Sequence, residues 1–141
     1  MIESVINYGA VVVAAIATYV LGFLWHGPLF GEIWMKWSGI SQKEVEELKK
    51  KGLAGMWKSM LGALFIAGIM SYIMAHFVDY TGATTVFEGM QTGFWIWLGF
   101  VVTVQLNSVL WEKKPFKLYV LNTGYQFVSL LMMGAILAAW M

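Results

Sequence analysis

The stretch Met56–Val78 reads M-W-K-S-M-L-G-A-L-F-I-A-G-I-M-S-Y-I-M-A-H-F-V. It is long enough to cross a hydrocarbon core, which takes about 20 helical residues. In that medium an unpaired backbone amide is too costly to leave exposed, so the segment must be α-helical. Small residues recur at every fourth position through Gly55, Ser59, Ala63, Ala67, Ser71 and Ala75. One face of the helix is therefore nearly flat and lets a neighbouring backbone come close. Packing within the chain is the expected use of that face, and homo-oligomer formation through it is the alternative.

Three further stretches have the same character: Val5–Trp25, Gly89–Trp111 and Leu118–Trp140. Hydrophobic residues make up 60% of the chain and charged residues 12%, against roughly 45–50% and about 25% in soluble proteins. A chain of 141 residues cannot hide that excess inside a water-soluble core. Strands of a membrane barrel would be shorter and alternate in polarity. The fold class expected is all-α: an integral membrane four-helix bundle forming a single domain over residues 1–141. The first stretch begins with Glu3 and lacks a basic leader, so it reads as a retained helix and not a cleaved signal peptide.

All nine basic residues are lysines. Lys36, Lys43, Lys49, Lys50, Lys51 and Lys58 surround the first connection, and Lys113, Lys114 and Lys117 the third. The positive-inside rule places both connections in the cytoplasm and both termini outside. Within the first connection, Ser41 and Glu44 form a capping box, with Ile40 and Val45 at the staple positions. Glu46 and Glu47 pair with Lys50 and Lys51 at i,i+4, and Gly52 is placed to stop the helix. These signals predict a short amphipathic helix over residues 42–51, with Val45 and Leu48 facing the membrane or bundle. Trp25, Trp34, Trp37, Trp57 and Trp111 fall near the same predicted interface, as an aromatic belt.

Polar residues inside the apolar stretches mark the candidate site. At 100° per residue, Gln91, Gln105, Ser108 and Glu112 form a stripe on the third helix. Tyr119, Asn122, Gln126, Ser129 and Met133 form another on the fourth. The two stripes are expected to face each other, either as interhelical amide bonds or as a pocket open to the cytoplasm. The candidate ligand-binding residues are Gln105, Ser108, Glu112, Tyr119, Asn122 and Gln126. Gly89 and Gly93 provide a second close-packing face on the third helix.

Several function classes lack support. A net charge of +1 offers no field for nucleic acid, and the absence of arginine removes the bidentate phosphate fork. There is no cysteine, and His26 and His76 are predicted on opposite sides of the membrane. No metal, cofactor or catalytic residue is therefore expected. No ionisable residue is predicted at the midplane, which weakens an ion-coupled carrier.

Beyond the apolar runs, particular words stand out: L-G-F-L-W-H-G-P-L-F-G-E-I-W-M-K over Leu21–Lys36, G-A-T-T over Gly82–Thr85 and W-L-G-F over Trp97–Phe100. L-N-S-V-L-W-E-K-K-P-F covers Leu106–Phe116, and L-N-T-G-Y-Q begins at Leu121. Together they resemble a family of small bacterial and archaeal membrane proteins catalogued as domain of unknown function 1761. The resemblance implies four membrane helices and brings no activity. It also implies that Asn107, Glu112 and Asn122 occupy the family's polar positions, and that tyrosine is usual where His26 stands. That departure counts against His26 as an obligatory base.

The function expected is a non-enzymatic helical module binding a lipid, a small ligand or a protein partner, with membrane lipid as its surroundings. One alternative is an oligomeric permeation or transport protein. The other is a membrane enzyme acting on a lipid-like substrate at the cytoplasmic face, with Glu112 as acid or base.

Overall fold

The computed structural model describes residues 6–39 and 42–140. Five helices account for nearly all of them. Helix α1 runs over Tyr8–Leu29, α2 over Gly31–Trp37, α3 over Gln42–Tyr80, α4 over Val86–Leu110 and α5 over Phe116–Trp140. All but α2 are long and apolar enough to cross a membrane. There is no strand among the described residues.

Helix ends follow local chemistry. Asn7 caps α1 by accepting from the Ala10 amide, and its own amide donates to the carbonyl of Trp140. The start of α1 and the end of α5 thus lie side by side. Thr85 caps α4, accepting from the Glu88 amide while its hydroxyl donates to the Glu88 carboxylate. This ties down the first turn. Gly39 and Gly82 adopt φ values of 79° and 72° at the ends of α2 and α3, a conformation that other residues reach only at a cost.

The short helix expected over residues 42–51 is helical but not separate. It forms the first turns of α3, which continues for 39 residues, about 58 Å at 1.5 Å per residue. Gly52 does not terminate it, because a glycine stop needs a left-handed residue, and only Gly39 and Gly82 take that conformation among the described glycines. The short helix between the first two long ones is instead α2. Ile40 and Ser41 lie outside the described residues, as do the side chains of Val45 and Leu48. The belt also divides: Trp57 and Trp111 are exposed, while Trp25 turns inward against Phe30 and Tyr125.

Helices α1, α3 and α5 pack as a triangle, and α4 lies along the far side of α5. At the end holding the termini the core is dense. Ala10, Val11 and Ala14 meet Met74, Ala75 and Val78, together with Leu130, Met133, Leu137 and Ala138. Ser71 sits fully buried there and donates to the Val11 carbonyl at 2.7 Å. The half of the small-residue face nearer the termini therefore packs within the chain, through Ser71 and Ala75 against α1. Its other half, Ser59 and Ala63, is exposed.

Glycines set the α4–α5 contact. A Cβ on Gly89 would strike the Gly134 carbonyl, and one on Gly93 the Leu130 carbonyl. The two backbones touch, as small-residue faces permit. Large apolar side chains cover the outward surface, among them Phe65, Ile66, Trp95, Phe100 and Val104. Such a surface suits a hydrocarbon solvent.

Candidate functional site

Toward the lysine-bearing end the triangle of α1, α3 and α5 opens. A groove of about 310 Å³ lies between the three helices, near the lower limit of small-molecule sites. Small side chains create it. Ser59, Ala63 and Ala67 of α3 face Thr18 and Gly22 of α1 across the gap, while Met60, Ile66 and Met70 supply hydrocarbon walls.

The end of α1 shapes one wall. Pro28 has no amide hydrogen, and its ring would crowd the Leu24 carbonyl in an ordinary α-turn. The chain widens into a π-turn over Trp25–Leu29, closed by the Phe30 amide donating to the Trp25 carbonyl at 3.0 Å. A widened turn inserts one residue into the helix register. Successive residues Trp25 and His26 accordingly both reach Tyr125, with ring centroids 6.1 and 5.1 Å away. Trp34 of α2 also packs against His26, with ring centroids 5.3 Å apart.

Tyr125 extends from α5 toward α1, and its hydroxyl donates to the Thr18 carbonyl at 3.3 Å. Gly22 leaves room for it, since a Cβ there would lie 2.6 Å from that hydroxyl oxygen. His26 Nδ1 lies 3.1 Å from the Gly22 carbonyl. A carbonyl only accepts, so this bond puts the hydrogen on Nδ1 and leaves Nε2 of the neutral ring as an acceptor.

Three buried polar atoms around this groove have no hydrogen-bond partner. Thr18 Oγ1 and Gln126 Oε1 belong to groove-lining residues, and Trp25 Nε1 lies in the adjoining aromatic cluster. Thr18 as a whole is only 3% exposed. Each such atom costs about 1–3 kcal/mol when left unsatisfied. The groove is thus bordered by two residues, Thr18 and Gln126, whose buried oxygens have no partner within the protein.

The six residues singled out in the sequence do not form one seam. Gln126 lines the groove facing α1 and α3, and Asn122 is half-buried one turn before it. The Tyr119 hydroxyl is engaged with the Val102 carbonyl at 2.8 Å. Val102 ends a second π-turn, Trp97–Val102. Trp97 Nε1 fastens the same region by donating to the Thr123 carbonyl at 2.7 Å. Ser108 turns its hydroxyl back to the Gln105 carbonyl at 2.8 Å. Glu112 is exposed and lies 3.6 Å from the Lys114 ammonium. Gln105, Ser108 and Glu112 make no side-chain hydrogen bond to Asn122 or Gln126.

Tyr119→Phe therefore removes a structural bond, worth about 1 kcal/mol. Thermal unfolding in detergent should show a small loss of stability, and an unchanged melting temperature would show that this bond carries no structural weight.

Thr18, Gly22, His26 and Tyr125 were not among the expected site residues. A trace of them exists in the spacing: Thr18, Gly22 and His26 follow at i, i+4 and i+8, one stripe of a helix. The small residues of α3 read equally well as packing or as the empty side of a groove. No curated protein and no solved structure matches this chain. A family model described as "Protein of unknown function (DUF1761)" matches residues 9–138, and the chain belongs to that family.

Proposed function

We propose that the protein is a non-enzymatic membrane module that holds a small amphiphile in the groove between α1, α3 and α5. The observation that carries this reading is the Thr18 hydroxyl, almost completely buried and without a partner in a groove walled by methionines and aliphatic side chains. An apolar ligand would leave Thr18 and Gln126 unsatisfied, and a strongly polar one would not enter. A ligand with a hydrocarbon body and one or two hydrogen-bonding groups meets both demands. Exposed Phe23, Ser59 and Ala63 border the groove, which suits entry from the lipid side.

Thr18→Val separates this reading from a purely structural one, because its two effects have opposite signs. Removing the unsatisfied hydroxyl should stabilise the empty, delipidated protein by about 1 kcal/mol. The same change should lower retention of the bound amphiphile about tenfold. Native mass spectrometry and melting curves on the purified protein measure the two quantities. Unchanged retention, or lower stability of the empty protein, removes the proposal.

The orientation proposed puts the lysine-bearing end, and with it the wider end of the groove, on the cytoplasmic side. A C-terminal reporter that works only outside the cytoplasm should then be active. Activity of a cytoplasm-only reporter at the same place would reverse the assignment.

Permeation between α4 and α5 finds little support, since Gly89 and Gly93 bring the two backbones into contact. Acid–base catalysis by Glu112 finds none in its exposed pairing with Lys114.

A further inference from the structure

A second groove, of about 340 Å³, lies between α2 and the first turns of α5, at the lysine-bearing end. Its walls are the hydrocarbon of Phe30, Ile33, Val120 and Leu121, and its rim carries Trp37 and Lys117. None of these residues lines the groove that holds Thr18. The Lys117 ammonium stands 5.9 Å from the Trp37 ring centroid, a cation–π contact that holds it at the rim. Phe116 and Val120 are 60% and 52% exposed, so the groove is open along its side.

Lys113 and Lys114 lie in the tight joint between α4 and α5, and Lys117 in the first turn of α5. All three are exposed, and the Glu112 carboxylate, 3.6 Å from the Lys114 ammonium, offsets part of their charge. Lys113 holds a φ of 55° there, a left-handed conformation that costs an ordinary residue about 1 kcal/mol. Glycine would take that position more cheaply, so the joint carries a cation where backbone preference alone favours none. The amide end of α5 opens at Phe116 and adds its own positive potential. Lys36, on α2, is also exposed.

We propose that this groove seats an acyl chain of an anionic phospholipid, with its phosphate against Lys117 and the Lys113–Lys114 joint. The hydrocarbon walls commit the occupant to a lipid, because a free phosphate gains nothing from them. The cationic rim selects an anionic headgroup over a zwitterionic one, as basic pockets at the cytoplasmic ends of membrane helices do. This site is independent of the amphiphile groove and does not rest on it.

The test uses the full chain reconstituted in vesicles of equal phosphatidylglycerol and phosphatidylcholine, then released into mild detergent for native mass spectrometry. Phosphatidylglycerol should be retained in preference to phosphatidylcholine. Lys117→Gln should reduce that preference about fivefold, the worth of one lysine near a membrane surface. Val120→Trp fills the groove but keeps every lysine, and should lower retention of both lipids. Both positions are exposed, so the variants should fold, and the wild-type melting temperature without lipid checks this. Equal retention of the two lipids by the wild type, or an undiminished preference in Lys117→Gln, overturns the proposal. So does displacement of phosphatidylglycerol by millimolar inorganic phosphate, which would mark a free-anion site.

Discussion

Gly93→Ala should separate α4 from α5 and abolish the packed form of the protein. The added Cβ would run into the Leu130 carbonyl and the Leu131 amide, and backbone on the far side cannot swing away as a flexible side chain can. Overpacking of a core typically costs about 1–3 kcal/mol, and a clash with backbone belongs at or above the upper end. In an ordinary helix the same substitution gains up to about 1 kcal/mol through backbone preference. The sign thus depends on the contact alone. Gly68, with nothing within 4 Å of its would-be Cβ, provides the control. Gly68→Ala should melt at or slightly above the wild-type temperature, while Gly93→Ala loses its cooperative transition in detergent. Similar melting of the two variants would mean that α4 and α5 do not meet in this way.

Ser71→Leu carries the second large effect, on the other side of the bundle. Ser71 is fully buried, and its hydroxyl reaches the Val11 backbone at 2.7 Å. A leucine there must push α3 away from α1 at the point where alanines otherwise let them approach. The expected loss is about 3 kcal/mol, enough to lower the melting point markedly and to open the core around Met74 and Val78. Ser71→Ala loses only the hydrogen bond, about 0.6 kcal/mol on average inside a membrane. The contrast between the two substitutions separates size from polarity. If leucine and alanine behaved alike, close approach would not be what holds this interface.

The two predictions share a cause that was readable from residue type. Gly89 and Gly93, and the fourfold spacing of Ala67, Ser71 and Ala75, announce close contact because only small side chains allow it. Their partners were not readable, since the same flat face can meet any helix or a second copy of the chain. The polar stripe on the third helix shows a different failure. It assumed an unbroken helix from Gln91 to Glu112, whereas the π-turn over Trp97–Val102 inserts a residue between Gln91 and Gln105. One inserted residue turns everything beyond it by about 100°. Gln91 lines a separate cavity near Glu88 and Trp95, and Gln105 lies on the far side of the turn. Of the stripe on the fourth helix, Gln126 entered the groove while Tyr119 was taken up by the π-turn carbonyl.

His26 is instructive for the same reason. As a lone histidine near an interface it reads as a belt residue, and the widened turn at Pro28 is what brings both it and Trp25 onto Tyr125. Helix widening at a proline is local chemistry, but its consequence for facing depends on where α5 lies.

Apolar length alone determined that four helices can cross a membrane, because backbone hydrogen bonding in hydrocarbon permits nothing else at that length. Residue size alone determined that some helix pairs would touch. Only the tertiary structure decided that α1, α3 and α5 close tightly at one end and part at the other, and that α4 stands outside them. Those outcomes depend on which flat faces meet and on two shifts of helical register. Neither is a property of any single segment, and the groove containing Thr18 and Gln126 exists only where three segments fail to close.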